Sequence, residues 1–67
     1  MQVEIFGTQV NVAFNEYNKK TKKKKEISIP FTEAHRRELI NQMDSTDSGE
    51  FYYFEDDKKI VNGFFYF

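Results

Sequence analysis

Alternation of apolar and polar residues is the feature that most constrains the fold of this chain. Valine, isoleucine or phenylalanine occupies every second position in residues 3–5, 10–14 and 27–31. Since successive side chains of a strand point to opposite faces, each segment is predicted to be a strand with one apolar face. Three such strands predict an antiparallel sheet with an apolar side that a single helix can cover.

Turn-forming residues divide these segments. Gly7-Thr8 separates the first two strands and suits a type II′ hairpin turn, with glycine in the first loop position. The lysine-rich stretch from Tyr17 to Lys25 predicts a loop between the second and third strands. Pro30 has no amide proton for a strand ladder, so the third strand is expected to end there or to lie at an edge.

One amphipathic helix is predicted from about residue 32 to residue 44. Thr32 is the expected N-cap, and Glu33 in the first turn also pairs with Arg37 at i,i+4. His35 lies beside the apolar stripe and is expected to be a partly exposed helix residue. The stripe itself is narrow and consists of Leu39, Ile40 and Met43.

Two aromatic strands follow, at residues 51–54 and 60–67, around a charged turn. Asn62-Gly63 is expected to form a bulge or an alternative type I′ turn. The order β-β-β-α-β-β therefore predicts one α+β domain over residues 1–67, a small twisted antiparallel sheet with the helix packed on one face. A chain of 67 residues buries only about 60% of its unfolded surface, which favours oligomerisation or a bound partner.

Aromatic residues are adjacent in both of the last strands, so they must point to opposite faces of the sheet. One interpretation is that the outward rings form a surface for a protein partner, since large exposed apolar patches mark interaction sites. The other is a curled sheet or barrel that wraps all the rings into one core. The candidate partner-binding residues are Tyr52, Tyr53, Phe54, Phe64, Phe65 and Tyr66.

Charge is distributed unevenly along the chain. Residues 1–25 carry a formal charge of +4 and residues 26–67 a charge of −5, which leaves a net charge of −1. This asymmetry favours a polyanionic partner at one end, or head-to-tail self-association. The lysine loop can neutralise phosphates, contact an acidic protein surface or only solvate the chain. Its candidate residues are Lys19, Lys20, Lys22, Lys23, Lys24 and Lys25.

Several kinds of chemistry are disfavoured. The absence of cysteine removes disulfides, thiolate metal sites and a cysteine nucleophile, and one histidine is too few for an ordinary zinc site. Three isolated glycines do not make a phosphate-binding loop. The stretch from Asp44 to Glu55 has the spacing of an EF-hand calcium loop, although an ordinary helix-to-strand turn explains it more simply. We predict a protein that is not an enzyme and that needs no cofactor or metal.

Codon composition suggests a source. Residues with AT-rich codons account for 32 of 67 positions, against eight with GC-rich codons, which is typical of a low-GC bacterium, its viruses or its mobile elements. No signal peptide or membrane span is apparent, so the cytoplasm of the bacterial host cell is the expected location. Our hypothesis is a viral or mobile-element accessory protein that occludes the surface of a host protein or defence complex. The alternatives are a nucleic-acid-binding module that uses the lysine loop, and a structural homodimer.

Overall fold

A computed structural model describes all 67 residues and confirms the predicted order of elements. The five strands form one antiparallel sheet, and the helix packs on one of its faces. The elements are β1 (Gln2–Ile5), β2 (Thr8–Asn18), β3 (Lys23–Ile27), α1 (Glu33–Met43), β4 (Gly49–Glu55) and β5 (Lys59–Tyr66).

The long strand β2 organises the sheet. β5 pairs along one edge of β2, while β1 and β3 share the other edge, opposite residues 8–11 and 14–18 respectively. β4 pairs with the far side of β5. The sheet therefore has β2 and β5 at its centre and three strands, β1, β3 and β4, at its edges.

The third strand begins within the segment that was predicted to be a loop. β2 continues to Asn18, a turn covers residues 19–22, and β3 starts at Lys23, so half of the six lysines lie in a strand. The Asn18 Oδ1 atom accepts hydrogen bonds from the backbone N–H groups of Lys20 and Thr21, at 2.9 and 3.0 Å, which closes the turn. β3 lies at an edge of the sheet, which was one of the two predicted outcomes, but Pro30, on which that prediction rested, lies beyond its end. The edge position leaves the lysine side chains in water on both faces. Residues 29–31 lie outside β3, yet Ile29 and Phe31 still pack on the core.

The β1–β2 turn also differs from its prediction. Ile5 pairs with Thr8, so the two turn residues are Phe6 and Gly7. Both have positive φ, 50° and 82°, which is the pattern of a type I′ turn and not of type II′. The positive φ strains the backbone of Phe6, since it is not a glycine. Its side chain is 80% exposed at the tip of the hairpin. The Arg36 guanidinium carbon lies 5.7 Å from the centroid of its ring.

The helix begins at the predicted cap. The Thr32 Oγ1 atom accepts a hydrogen bond from the backbone N–H of His35 at 3.4 Å, and Asp44 caps the other end. The predicted ion pair is present, with 3.9 Å between Arg37 Nε and Glu33 Oε1. These local signals could be predicted because capping and i,i+4 pairing depend only on neighbours along the chain.

His35 is buried, so the prediction of a partly exposed residue is wrong. Its Nδ1 atom accepts the backbone N–H of Thr32 at 3.2 Å and completes a capping box. Its ring centroid lies 5.2 Å from that of Phe14 and 4.8 Å from that of Tyr52. Helical periodicity does not reveal this burial, because the covering rings come from β2 and β4.

The core lies between α1 and the sheet. Gly63 is buried beneath two of its rings: a Cβ atom there would lie 2.9 Å from Phe51 and 3.0 Å from Phe14. Asn62-Gly63 is therefore neither a turn nor a bulge, and β5 runs straight through it. The bulge lies instead in β4, between Glu50 and Tyr52. The buried apolar cluster is Ile5, Val10, Val12, Phe14, Leu39, Phe51 and Phe65.

Candidate interaction surface

Strand pairing divides the sheet into a helix face, which carries the core, and an open face, which α1 does not cover. The two faces alternate along every strand, and the registers of β2, β3, β4 and β5 identify which residues share a side. The open face consists of Asn11, Ala13, Asn15, Tyr17, Lys24, Glu26, Glu50, Tyr53, Glu55, Ile60, Asn62, Phe64 and Tyr66.

The six predicted partner-binding residues are divided between the two faces. The open face carries Tyr53, Phe64 and Tyr66, and the helix face carries Tyr52, Phe54 and Phe65. Tyr53 and Tyr66 are 55% and 53% exposed, so the rings do not all join one wrapped core.

Two of the six are poorly placed to meet a partner. Phe65 is only 1% exposed, so its assignment as a partner-binding residue is wrong. Tyr52 is half-buried, and its ring packs edge to face against Phe14 and His35. Phe54 is 45% exposed and remains accessible on the helix side of the sheet.

The open face carries two apolar pairs across β2 and β5, separated by the pair of Asn15 and Asn62. Tyr17 pairs with Ile60 and Ala13 pairs with Phe64, and all four are half-buried. The Lys24 Nζ atom reaches to 5.8 Å from the centroid of the Phe64 ring, which is within the range of a cation–π interaction. Large rings and small side chains therefore alternate on a surface that water partly reaches.

Asparagines supply uncharged hydrogen-bonding groups on the same face. The Asn62 side chain donates to Glu50 Oε2, and the Asn11 side chain donates to the Tyr66 carbonyl at 3.4 Å. Asn15 pairs with Asn62 across the central strands. The open face thus combines rings with adaptable polar groups, a mixture typical of protein interfaces.

A polar network ties Tyr53 to one end of the open face. Glu55 Oε2 lies 2.6 Å from Lys19 Nζ, and Glu55 Oε1 accepts the Tyr53 hydroxyl at 2.8 Å. Both donors favour the ionised carboxylate, Lys19 more than Tyr53, so the pKa of Glu55 lies below its usual value. The same hydrogen bonds raise the pKa of Lys19 and the pKa of Tyr53. Lys19 is therefore paired with a carboxylate of its own chain.

The remaining lysines do not form one cluster. Lys24 lies on the open face, while Lys23 and Lys25 alternate onto the helix side, where Lys25 is opposite Glu16. Lys20 and Lys22 lie in the turn. Because the open face carries three glutamates, it is not basic. This division could not be read from the sequence while the lysines were assigned to a loop.

The calcium-loop interpretation of residues 44–55 is wrong. β4 is extended from Gly49 to Glu55, which separates those two residues by about 20 Å. Glu55 is instead paired with Lys19. No group of three or more histidine, aspartate or glutamate side chains converges in a way that could hold a metal ion.

A groove of about 550 Å³ runs between α1 and β4, and sequence reasoning did not identify it. It is open to solvent and includes two carboxylates, those of Glu38 and Glu50, together with the ring of Tyr53. The sequence feature that could have revealed it is the narrow apolar stripe of α1, formed by Leu39, Ile40 and Met43. A stripe of this width does not cover the whole of β4, and the uncovered part is the groove. Because Glu50 and Tyr53 also belong to the open face, the groove reaches the outer edge of β4.

Comparison with protein-family models, with curated proteins and with solved structures gives no match for this chain. The one helix, α1, is too short and too polar to cross a lipid bilayer.

Proposed function

We propose that this protein is a non-enzymatic binding module that forms a stoichiometric complex with a protein partner through the open face. The observation that carries the proposal is the exposure of Tyr53 and Tyr66 beside half-buried Tyr17 and Phe64. Neither exposed ring belongs to the core cluster. An aromatic side chain can bury about 150–250 Å², so four of them can anchor an interface.

Occlusion of a partner's surface is the mechanism that this arrangement supports best. A rigid sheet presents the rings with little conformational entropy to lose on binding. The lysines around β3 lie at the rim, where they would steer the protein toward an acidic partner. Many residues of the chain are of types whose codons are AT-rich. Together with this composition, the arrangement supports an accessory protein of a virus or mobile element that blocks a host enzyme or defence complex.

The charge of the open face favours protein over nucleic acid. Lys24 is its one cation without a carboxylate partner in the structure, and Glu26 and Glu50 lie on the same face. A sheet that stacks bases normally has positive charge along the phosphate path. This surface does not provide such a path.

A nucleic-acid function would use a different surface. Lys23 and Lys25 lie on the helix side of the sheet. Lys59 lies on the same side, because both Lys59 and Lys23 pair with Asn18. Phe54 is the exposed ring nearest to them in the strand registers. The two candidate functions therefore depend on residues that can be changed separately.

The test is affinity capture from the lysate of a low-GC bacterium, with and without nuclease, followed by mass spectrometry. We expect one host protein in stoichiometric amount after nuclease treatment. Its capture should be lost with Tyr53→Ser combined with Tyr66→Ser. The matched control is Phe54→Ser, which removes a similarly exposed ring from the other side and should leave capture unchanged.

The opposite pattern would overturn the proposal. If capture disappears with nuclease and with Lys23→Glu combined with Lys25→Glu, but survives loss of the tyrosines, the nucleic-acid function is the correct one. A phosphate-dependent complex would also weaken steeply with added salt. An aromatic protein interface should retain most of its affinity and lose mainly association rate.

A further inference from the structure

The three free edges of the sheet are protected to different degrees. β1 is only four residues long, and β3 carries three lysines. β4 is seven residues long and has four consecutive aromatic residues, Phe51 to Phe54. Short length and lysine are two ordinary ways to prevent an edge strand from pairing with another chain. The edge of β4 has neither, and its bulge lies between Glu50 and Tyr52, so the regular stretch from Tyr52 to Glu55 is the part available to a further strand.

The strand registers show which residues of the edge strands β3 and β4 lie in the same row across the sheet. Each row across the sheet begins in β3, crosses β2 and β5, and ends in β4. The rows are Ile27–Phe14–Gly63–Tyr52, Glu26–Asn15–Asn62–Tyr53, Lys25–Glu16–Val61–Phe54 and Lys24–Tyr17–Ile60–Glu55. A second copy placed beside the first, with the same orientation, would continue these rows.

We propose that the β4 edge of one molecule pairs with the β3 edge of a second copy, so that the chain associates head to tail. β3 and β4 run in opposite directions, because three antiparallel pairings separate them, and the new pair would be antiparallel. Glu55 would face Lys24 of the next copy, and Tyr52 would face Ile27. Opposite charges and apolar pairs directly across two strands stabilise such a pair.

Charge selects this arrangement over a symmetric dimer of two β4 edges. Residues 44–57 include six acids and no basic residue, whereas residues 19–25 include six lysines and no acid. Two paired β4 strands would contribute only Glu50 and Glu55 as charged residues, so no opposite charges could face each other across that pair. The basic edge of β3 is the complementary partner that this chain itself supplies.

Head-to-tail pairing is open-ended and leaves the centre of the open face uncovered, while Tyr53 would lie at the new seam opposite Glu26 of the next copy. The two edges differ, so each added copy leaves one of each kind exposed, and the twist of the sheet makes the product helical. Four rows per contact make a small interface, for which we expect a dissociation constant on the order of 100 µM. Because Lys24 and Glu55 both belong to the open face, neighbouring copies would present their open faces side by side. The inference does not depend on the proposed function, since it uses the edges.

The experiment is sedimentation equilibrium of the full chain at up to about 1 mM protein, at low and at high salt. We expect the wild-type mass to rise with concentration and to fall with salt. Phe54→Lys blocks the β4 edge, and Lys24→Glu blocks the β3 edge by facing Glu55. Each variant alone should remain monomeric. An equimolar mixture should form a dimer and nothing larger, because each partner retains one intact edge.

Two further chains keep the test decisive. Lys20→Glu makes the same charge change in the turn, outside the rows, and should associate as the wild type does. Lys24→Glu combined with Glu55→Lys and Lys19→Glu exchanges the facing charges, keeps opposite charges at positions 19 and 55 of each chain, and should restore association. Far-UV circular dichroism of each variant checks that it is folded. A wild type that stays monomeric at all concentrations overturns the inference. A folded mixture that forms no dimer while the wild type associates also overturns it, in favour of a symmetric contact.

Discussion

Phe64 and Phe65 are adjacent in β5 and chemically identical, yet they belong to different faces of the sheet. Phe65 lies opposite Val12 and is buried against Phe51, whereas Phe64 lies opposite Ala13 beneath the Lys24 side chain. The core uses one ring, and the other remains available to a partner. Position in the register, and not residue type, therefore decides which aromatic ring enters the core of this chain and which lies on the open face.

The largest expected effect is the difference between these two neighbours. Phe65→Ala should cost about 3–5 kcal/mol of unfolding free energy, because it leaves a cavity in a close-packed core. A domain of this size has about 3–10 kcal/mol in total, so the variant should be largely unfolded. Phe64→Ala should cost about 1 kcal/mol or less, since its ring is half-buried. Urea denaturation measures both, and equal costs would contradict the division into two faces.

The second-largest expected effect is the contribution of His35, which joins α1 to the sheet, to the free energy of unfolding. His35→Ala should cost roughly 2–4 kcal/mol, because it removes both the ring contacts and the bond to the Thr32 N–H. His35→Gln can still accept that N–H and should recover about 1 kcal/mol of the loss. The free energy of unfolding of the two variants measures the difference. If glutamine is no better than alanine, the capping contact adds nothing to stability.

Gly63 tests how closely the helix face is packed. Gly63→Ala should cost about 1–3 kcal/mol, because its methyl group would have to displace the rings of Phe14 and Phe51. Ala13→Gly on the open face is the matched reverse change and should cost only a strand-propensity term of about 1 kcal/mol. Thermal unfolding compares the two, and a Gly63→Ala variant as stable as the wild type would show that the rings can move.

The smallest effect is a titration on the open face. Because Lys19 and Tyr53 lower the pKa of folded Glu55, the stability from this carboxylate is present above its usual pKa and is lost as the pH falls through the lowered one. Tyr53→Phe should raise the pKa of Glu55 toward its usual value. Carboxyl carbon shifts in an NMR titration measure this change. Asp56 is the internal control, since its pKa is lowered by the backbone N–H groups of Lys58 and Lys59 and should not move.

Local signals predicted much of the fold. The first two one-sided strands and the Thr32 cap depend on neighbours along the chain, and both are confirmed. The strand predicted at residues 27–31 is wrong, because β3 ends at Ile27. Adjacent aromatics are divided between the faces as predicted except at the β4 bulge, where Phe51 and Tyr52 share the helix face. The burial of His35 and the need for glycine at position 63 depend on rings from distant strands, so periodicity could not reveal them. The start of β3 was missed because strand pairing with β2 outweighed the loop character of the lysines.

The candidate surface was predicted only in part, because it too depends on contacts between strands that are distant in the sequence. The sequence requires some aromatics to leave the helix face, but the β4 bulge decides which ones by shifting the register between Glu50 and Tyr52. Phe51 then enters the core and Tyr53 turns outward. A bulge depends on cross-strand fit, and nothing in the local sequence around Phe51 identifies it.

The central pairing of β2 with β5 has a consequence for how this chain acquires its structure. It joins Val12 to Phe65, and β4 has no strand partner other than β5. Such non-local pairing raises the contact order and slows folding, because a long stretch of chain must be closed before the pairing stabilises it. Until the hairpin of β4 and β5 docks on β2, the inner edge of β5 is unpaired and the aromatic residues of the hairpin are open to misassembly. The step that completes the sheet is therefore also the step that limits its aggregation.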